Sequence, residues 1–300
     1  MEASVSIASF RRPEGLARLL RSLEAQQGDI PAFEVIVVDN DASGSAAAVC
    51  DSFTGRLSLR YLVERERGIA RCRNRAVAAS ESRYIAFIDD DDEAAPDWLA
   101  SLHRVAVGNE ADAVFGPVVF RFAQEPPAWI RQSAYRDPPA MCDGEILSWY
   151  RSRTNNAYVR RASLPDQLAP FDVGLDLVGG EDIDLFARMA ARGAKLVAAG
   201  SARVFEYREP SRMTARWLAR RSFRNGGSMA HIEWRNRHGL PLMANAALAT
   251  TRSAGLALAA LARLATSRAA ALDCWLRSLE SLGRAAWAVG FVYPEYRHRP

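Results

Sequence analysis

Short apolar runs alternate with amphipathic stretches through the first two thirds of the chain. Residues 5–8, 35–38, 59–63 and 84–88 are β-branched or aromatic runs too short for helices, and each reads as a buried strand. Between the first two, leucines at 16, 19, 20 and 23 recur at helical spacing over residues 13–27, so the chain opens β-α-β. A second unit follows: strand 59–63, a turn at Gly68, a helix over 70–79 and the strand 84–88. The run Val35-Ile36-Val37-Val38 is apolar without alternation, which requires both of its faces to be covered, as in a parallel sheet between helices. Residues 113–122 read as a further strand, the Pro-rich and polar stretch 124–144 as a long loop that covers a site, 184–192 as a helix stopped by Gly193, and 195–199 as a strand. The expected fold class is therefore α/β, a Rossmann-like, mostly parallel sheet flanked by helices.

The last third changes character. Residues 239–251 and 253–262 are apolar stretches interrupted by Arg252 and followed by Arg263 and Arg268, and neither reaches the roughly 18 to 20 uncharged residues that span a bilayer. Leu261, Leu264, Leu272, Trp275, Leu276, Leu279 and Leu282 approximate one helical stripe, with Arg263, Arg277 and Arg284 opposite. Such a stripe suits a helix lying on an anionic membrane surface or, equally, a helical pair packed on the protein's own core.

Charge divides the chain in the same place. The net charge is +4, but from Arg203 onward 16 arginines face 6 acids, whereas the first 202 residues hold 23 basic and 29 acidic side chains. The four cysteines are scattered without a C-x-x-C pair and the four histidines lack H-E-x-x-H spacing, so neither a disulfide framework nor a zinc hydrolase is indicated. The N-terminal residues read directly as a strand-like run with no signal-peptide pattern, so a cytosolic location is expected.

Two acidic clusters carry the chemistry. Asp89-Asp90-Asp91-Asp92 closes an apolar strand, and four adjacent carboxylates repel unless a cation joins them. Mg²⁺ or Mn²⁺ prefers such hard oxygen ligands and commonly takes one or two carboxylates, with water and substrate phosphate completing the shell. Alternation along an extended chain would put Asp89 and Asp91 on one side, so these two are the expected metal ligands. Glu181-Asp182-Ile183-Asp184, behind Gly179-Gly180, opens a helix where acids favour the dipole and where one of them can act as a base. Asp39 and Asp89 both end strands, which is where open α/β sheets bind their ligands, so one crevice is expected to collect them.

The ordered set Ser6-Ile7-Ala8-Ser9-Phe10-Arg11-Arg12-Pro13, Val37-Val38-Asp39-Asn40, Gly68-Ile69-Ala70-Arg71-Cys72-Arg73-Asn74, Phe87-Ile88-Asp89-Asp90-Asp91-Asp92 and Gly180-Glu181-Asp182 resembles the family 2 inverting glycosyltransferases of the GT-A fold. The stretch from Arg212 to Gly226 is similar to members that build succinoglycan-type exopolysaccharides on lipid carriers. The resemblance implies a catalytic domain over 1–210, its nucleotide-sugar half about 1–95 and its acceptor half about 96–210, followed by a basic helical extension over 211–300. It implies transfer of a sugar from a nucleotide diphosphate sugar, with a uridine donor expected, to a hydroxyl of a glycan or lipid-linked acceptor. It also implies roles. Ala8, Ser9, Arg11, Asp39, Arg71, Asn74 and Asp90 would hold the donor, Arg71 through its fork of donors on the diphosphate and Asn74 either on the donor or as a brace for its loop. Asp89 and Asp91 would hold Mn²⁺ or Mg²⁺, with Glu206 near the place where many relatives carry a histidine ligand. Asp182 would be the general base, and Glu181, Arg220, Arg221 and Arg224 would contact the acceptor or a diphosphate.

Attachment to the cytosolic face of the inner membrane and contact with anionic lipid follow as expectations; a nucleic-acid partner does not, because the basic segment carries no recognised binding motif. Two other classes compete: a sugar-phosphate nucleotidyltransferase, which would want a Gly-rich basic loop that residues 8–15 do not supply, and a membrane-associated module that binds nucleotide without turnover.

Overall fold

The computed structural model describes residues 1–122, 124–132, 140–176, 179–236 and 242–291. Along the chain run β1 (Ala3–Ser9), α1 (Pro13–Glu24), β2 (Phe33–Asp39), α2 (Ala47–Asp51), β3 (Leu59–Val63), α3 (Ile69–Ala79), β4 (Tyr84–Ile88), β5 (Asp92–Ala94), α4 (Trp98–Gly108), β6 (Ala113–Phe115) and β7 (Val118–Phe122). Then follow α5 (Ala128–Arg131), β8 (Asn156–Arg160), α6 (Glu181–Ala191), β9 (Leu196–Ala198), β10 (Val204–Arg208), α7 (Ala215–Arg235), α8 (Leu242–Arg263) and α9 (Arg268–Ala288). The chain divides into two compact units, one of Met1–Val119, Pro139–Asp176 and Glu181–Glu206, the other of Phe120–Pro138, Leu177–Gly180 and Tyr207–Pro300.

The first unit is built on a seven-stranded sheet of order β3-β2-β1-β4-β8-β6-β9. Only β8 runs against the rest: β1 pairs in parallel with β2 and β4, β2 with β3 and β6 with β9, while β8 is antiparallel to both β4 and β6. The expected parallel sheet is therefore present with one reversed strand. Its β1, β2 and β4 residues are buried on both faces, which is why their sequences are apolar runs rather than alternations. Under one face lie Leu16, Leu19, Leu20 and Leu23 of α1, the four leucines whose spacing predicts that helix.

The run 113–122 is not one strand. It breaks between β6 and β7 at Gly116-Pro117, where a side chain at 116 would meet the Ala202 carbonyl at 2.0 Å and the Asn156 amide at 2.4 Å. Asn156 earns its buried position by satisfying all of its amide: its nitrogen donates to the carbonyls of Pro117 (3.0 Å) and Ala202 (2.8 Å), and its oxygen accepts from the indole of Trp98 (2.9 Å). Within the expected loop 124–144 the chain forms the one-turn helix α5, and residues 133–139 lie outside the described ones.

In the second unit the long helices α7, α8 and α9 pack through small residues. Gly226 of α7 meets the Glu280 carbonyl of α9, and Gly283 of α9 meets the Phe223 carbonyl of α7, each so closely that a Cβ would lie within 2 Å of the oxygen. Ser253 of α8 and Ser278 of α9 exchange hydrogen bonds with each other's carbonyl and hydroxyl at 2.8 to 3.1 Å. The leucine stripe expected across 261–282 is divided between two helices, because α8 stops at Arg263 and α9 starts after the Ser267 cap. Leu276 packs inward, but Leu261, Leu264 and Leu282 face solvent, so the stripe is not one core-facing surface. Among the described residues no helix is long and apolar enough to cross a membrane.

Candidate active site

The site grows from the carboxyl ends of β1, β2 and β4. After Ile88 the chain does not continue extended: the amide of Asp92 bonds back to the Asp89 carbonyl at 3.1 Å, closing a turn. The alternation expected for Asp89 to Asp92 therefore does not apply, and the four carboxylates are sorted by the turn instead. Asp90 and Asp92 are buried, while the side chains of Asp89 and Asp91 keep 39% and 22% of their surface. Helix α1 presses its first turn onto this turn, and Gly15 is what permits it, since a Cβ there would sit 2.7 Å from the Asp90 carbonyl oxygen.

Asp90 is a pin for the loop after β1. One oxygen accepts from the Ser9 hydroxyl (3.0 Å) and the Phe10 amide (3.2 Å), the other from Arg12 (3.1 Å). Burial pushes its carboxyl up to about 6 against the pull of Arg12. Arg12 also lies 2.8 Å from Asp91, so one guanidinium serves two of the four acids. Arg11 has φ 51 and reaches across to Asp41 at 3.0 Å, and Ala8 is half-buried at the end of β1.

Asp39 is fully buried and already engaged. Its oxygens accept from the amides of Asp41 (3.0 Å) and Ala46 (2.7 Å), from Tyr61 (3.0 Å) and from Ser45 (3.4 Å). These bonds hold the loop between β2 and α2 in shape. Asn74 likewise takes the bracing alternative: its amide exchanges two 2.8 Å bonds with the backbone of Phe171.

Arg71 stands apart from the acidic turn. It is half exposed and pairs with Glu66 at 2.8 Å and Asp176 at 3.6 Å. Arg73, two residues on, is the arginine of this motif that pairs with the acidic turn. Its buried guanidinium joins Glu181, the first residue of α6, at 2.5 Å to Asp89 at 3.2 Å. Two acidic clusters about ninety residues apart in sequence thus meet across one cation. Burial pushes Glu181 up to about 7 even with Arg73 beside it, and burial pushes Asp89 up as well, with the charges of Asp91 and Asp182 adding to it. Asp182 is half-buried at the start of α6, accepts from the Ile183 amide at 2.8 Å, and is near enough for its charge to act on both Asp89 and Glu181. Asp184 is fully buried against Arg188 at 2.8 Å.

Glu206 lies on β10 directly opposite Asp92 of β5 in an antiparallel pair. Both carboxylate oxygens of Asp92 are buried without a hydrogen-bond partner. Burial, then the charges of Asp89, Asp91, Glu206 and Asp90, hold its carboxyl well above the usual range. No three His, Cys, Asp or Glu side chains among the described residues form a closed metal cage. What is present fits a hard divalent cation of the kind that takes one or two carboxylates and draws its remaining ligands from water and phosphate: an excess of crowded carboxylate oxygens, with Asp89 and Asp91 the partly open members.

Arg220, Arg221 and Arg224 belong to α7 in the second unit. With about 100° per residue, Arg216, Arg220 and Arg224 share one side of that helix. Arg221 lies beside them, over the ring of Trp217 at 5.1 Å, and Arg224 donates to Asn225 at 3.2 Å.

Known proteins point the same way. The family model described as glycosyl transferase family 2 matches residues 4–168. The succinoglycan biosynthesis protein ExoM of Rhizobium meliloti (strain 1021) is 33% identical over 257 residues, covering 84% of this chain and 82% of its own. ExoO of the same organism is 27% identical, covering 68% of this chain and 60% of its own. Among solved structures, the mannosyltransferase PcManGT from Pyrobaculum calidifontis, in complex with GDP-Man and Mn²⁺, superposes with a TM-score of 0.61 at 19% identity, over 95% of this chain and 87% of that one. S. aureus TarS residues 1–349 in complex with UDP gives 0.57 at 15% identity, over 98% and 93%. These two show the fold, a GT-A type sheet. With a family model over more than half of its length and a relative a third identical along most of both chains, the protein belongs to glycosyl transferase family 2 and is a glycosyltransferase.

Proposed function

We propose that the protein transfers a sugar from a nucleotide diphosphate sugar to a hydroxyl of a growing or lipid-linked glycan, with inversion and with a divalent cation. The observation that carries this is the Arg73 bridge, which holds Asp89 at the donor end of the sheet against Glu181 and, next to it, Asp182. In this reading the acceptor hydroxyl loses its proton to a carboxylate oxygen of Asp182 as it attacks the anomeric carbon, and the diphosphate leaves on the opposite side. Asp89 and Asp91 would hold Mn²⁺ or Mg²⁺, whose charge would steady the departing diphosphate. Ser9, Arg11 and Asp90 shape the donor loop, Arg73 sets the distance between donor and base, and Glu181 meets the acceptor. Arg220, Arg221 and Arg224 of the second unit offer guanidinium groups suited to a phosphate.

The names of the relatives support the acceptor class, since ExoM and ExoO are succinoglycan biosynthesis proteins. The ligands in the solved neighbours, the nucleotide UDP and the nucleotide sugars UDP-GlcNAc and GDP-Man, support a nucleotide diphosphate sugar donor, and Mn²⁺ beside GDP-Man supports the cation. Work on a lipid-linked acceptor would place the enzyme peripherally at the cytosolic membrane face.

The test is thermal-shift screening of nucleotide sugars with Mn²⁺, uridine sugars first, followed by transfer to a glycan acceptor. Asp182→Asn keeps the donor-induced shift and lowers kcat by about 10² to 10⁴. Full transfer by that variant removes Asp182 from its role; no shift with any nucleotide sugar removes the reading.

A further inference from the structure

We infer that the outward face of α8 is a docking surface for an anionic lipid bilayer. This rests on the reading of the chain as a peripheral membrane enzyme, and it names the surface and the lipid chemistry. Helix α8 buries only small side chains, Ala249, Ser253 and Ala260. With about 100° per residue these fall on one side, and Met243, Leu248, Leu258 and Leu261 fall on the other. Those four keep 70%, 57%, 67% and 66% of their surface exposed. The usual arrangement of a soluble helix, large apolar groups inward and polar groups outward, is reversed here. The closest helix-to-helix approaches of this unit are made at glycine and serine, as between Gly226, Gly283 and the carbonyls they touch and between Ser253 and Ser278. Small residues inside and leucines outside is the packing of helices whose surroundings are apolar.

Charge selects the occupant. Helix α8 carries two charged residues, Arg252 and Arg263, both at the border of the apolar face, and Arg268 opens α9. No acidic residue occurs in the sequence between Glu233 and Asp273. A second copy meeting this face about a twofold axis would bring its own Arg252 against this one, because Arg252 stands at the middle of the helix. Phosphate headgroups instead complement the arginines while the leucines enter the acyl boundary. The depth needed is that of a helix lying in the interface, and among the described residues no helix is long and apolar enough to cross.

Co-sedimentation of the full chain with vesicles tests this, using phosphatidylcholine alone and phosphatidylcholine with phosphatidylglycerol in equal parts. Strong partition into the phosphatidylglycerol vesicles is expected, falling with salt. Leu258→Glu/Leu261→Glu, at solvent-facing positions, should lower it about tenfold or more without changing the thermal midpoint. Arg252→Gln and Arg268→Gln should each lower it about fivefold on phosphatidylglycerol and little on phosphatidylcholine. Absence of partition into either vesicle overturns the inference, and so does equal partition into both with no salt dependence. Self-association that Leu258→Glu/Leu261→Glu abolishes, without vesicle binding, assigns the face to a second copy and overturns it too. Donor consumption with a water-soluble acceptor, measured alongside, separates the two readings: transfer without vesicle binding sinks only this surface, and vesicle binding without transfer sinks only the proposed activity.

Discussion

Arg73 shows what one residue does for this site and how far its role was legible. Arg71 and Arg73 stand in the same short motif with the same side chain, and chemistry alone does not separate them. Helical geometry does. The buried positions of α3 are Ala70, Cys72, Arg73, Ala76 and Val77, so Arg73 shares the inward stripe with residues three and four away, while Arg71 falls outside it. An arginine on an inward stripe needs an acid to meet it, and the two carboxylates that do so come from the ends of β4 and α6. Asp39 is ambiguous for the opposite reason: its position at a strand end is equally right for binding a ligand and for pinning the next loop, and its four donors make the second role visible. Removing Arg73 strands buried charge. Arg73→Ala is expected to cost about 3 to 5 kcal/mol of stability by chemical denaturation and to abolish transfer. Arg73→Lys keeps the charge but not the fork, and should regain most of the stability with kcat still well below the parent. Equal activity in Arg73→Lys and the parent would mean that the charge alone positions Glu181.

Elements with a strong period were read correctly, and those defined by a close approach were not. The four leucines of α1 and the apolar runs of β1, β2 and β4 locate themselves, because burial on a known side imposes its own spacing. Strand β8 carries an apolar core only from Ala157 to Val159 between polar Asn156 and Arg160, too little pattern to announce a strand, yet it sits in the middle of the sheet. The second unit was legible as helical, but its packing was not, because glycine and serine contacts leave no hydrophobic stripe. Gly283 gives the test. A side chain there would meet the Phe223 carbonyl and the Gly227 amide, and backbone on both sides has no flexible end to move. Gly283→Val should therefore separate α7 from α9 and cost about 3 kcal/mol or more, with thermal unfolding as the measure. Ser253→Ala, which removes one member of a mutually satisfied pair, should cost about 1 kcal/mol. A small loss at Gly283 would mean that the two helices are not held by that crossing.

Across the whole molecule, the crowded acids tie stability, pH and metal together. Glu181 is raised from 4.5 to about 7 and Asp90 from 3.8 to about 6, with burial the main cause in both, and burial also raises Asp89 and Asp92. A carboxyl raised on folding makes the native state hold more protons than the unfolded state between its two pKa values, so stability falls as pH climbs through that window. For Glu181 the window runs from about 4.5 to about 7, and Glu181→Gln should flatten the slope there. The acids that folding lowers, Asp41, Asp143, Glu145 and Asp166, contribute stability that is lost only as pH falls below the usual carboxylate range, so they leave this window untouched. Without divalent metal, the thermal midpoint is thus expected to decline from pH 5 toward pH 8, by an amount on the order of a few kcal/mol in free energy. Mn²⁺ competes with protons for the same oxygens, so its binding should strengthen as pH rises and its stabilising shift should be larger at pH 8 than at pH 5. Thermal unfolding at the two pH values, with and without Mn²⁺ and in Asp91→Ala, measures all of this at once. A Mn²⁺ shift of the same size at both values, or one that survives in Asp91→Ala, would place the cation away from the turn after β4.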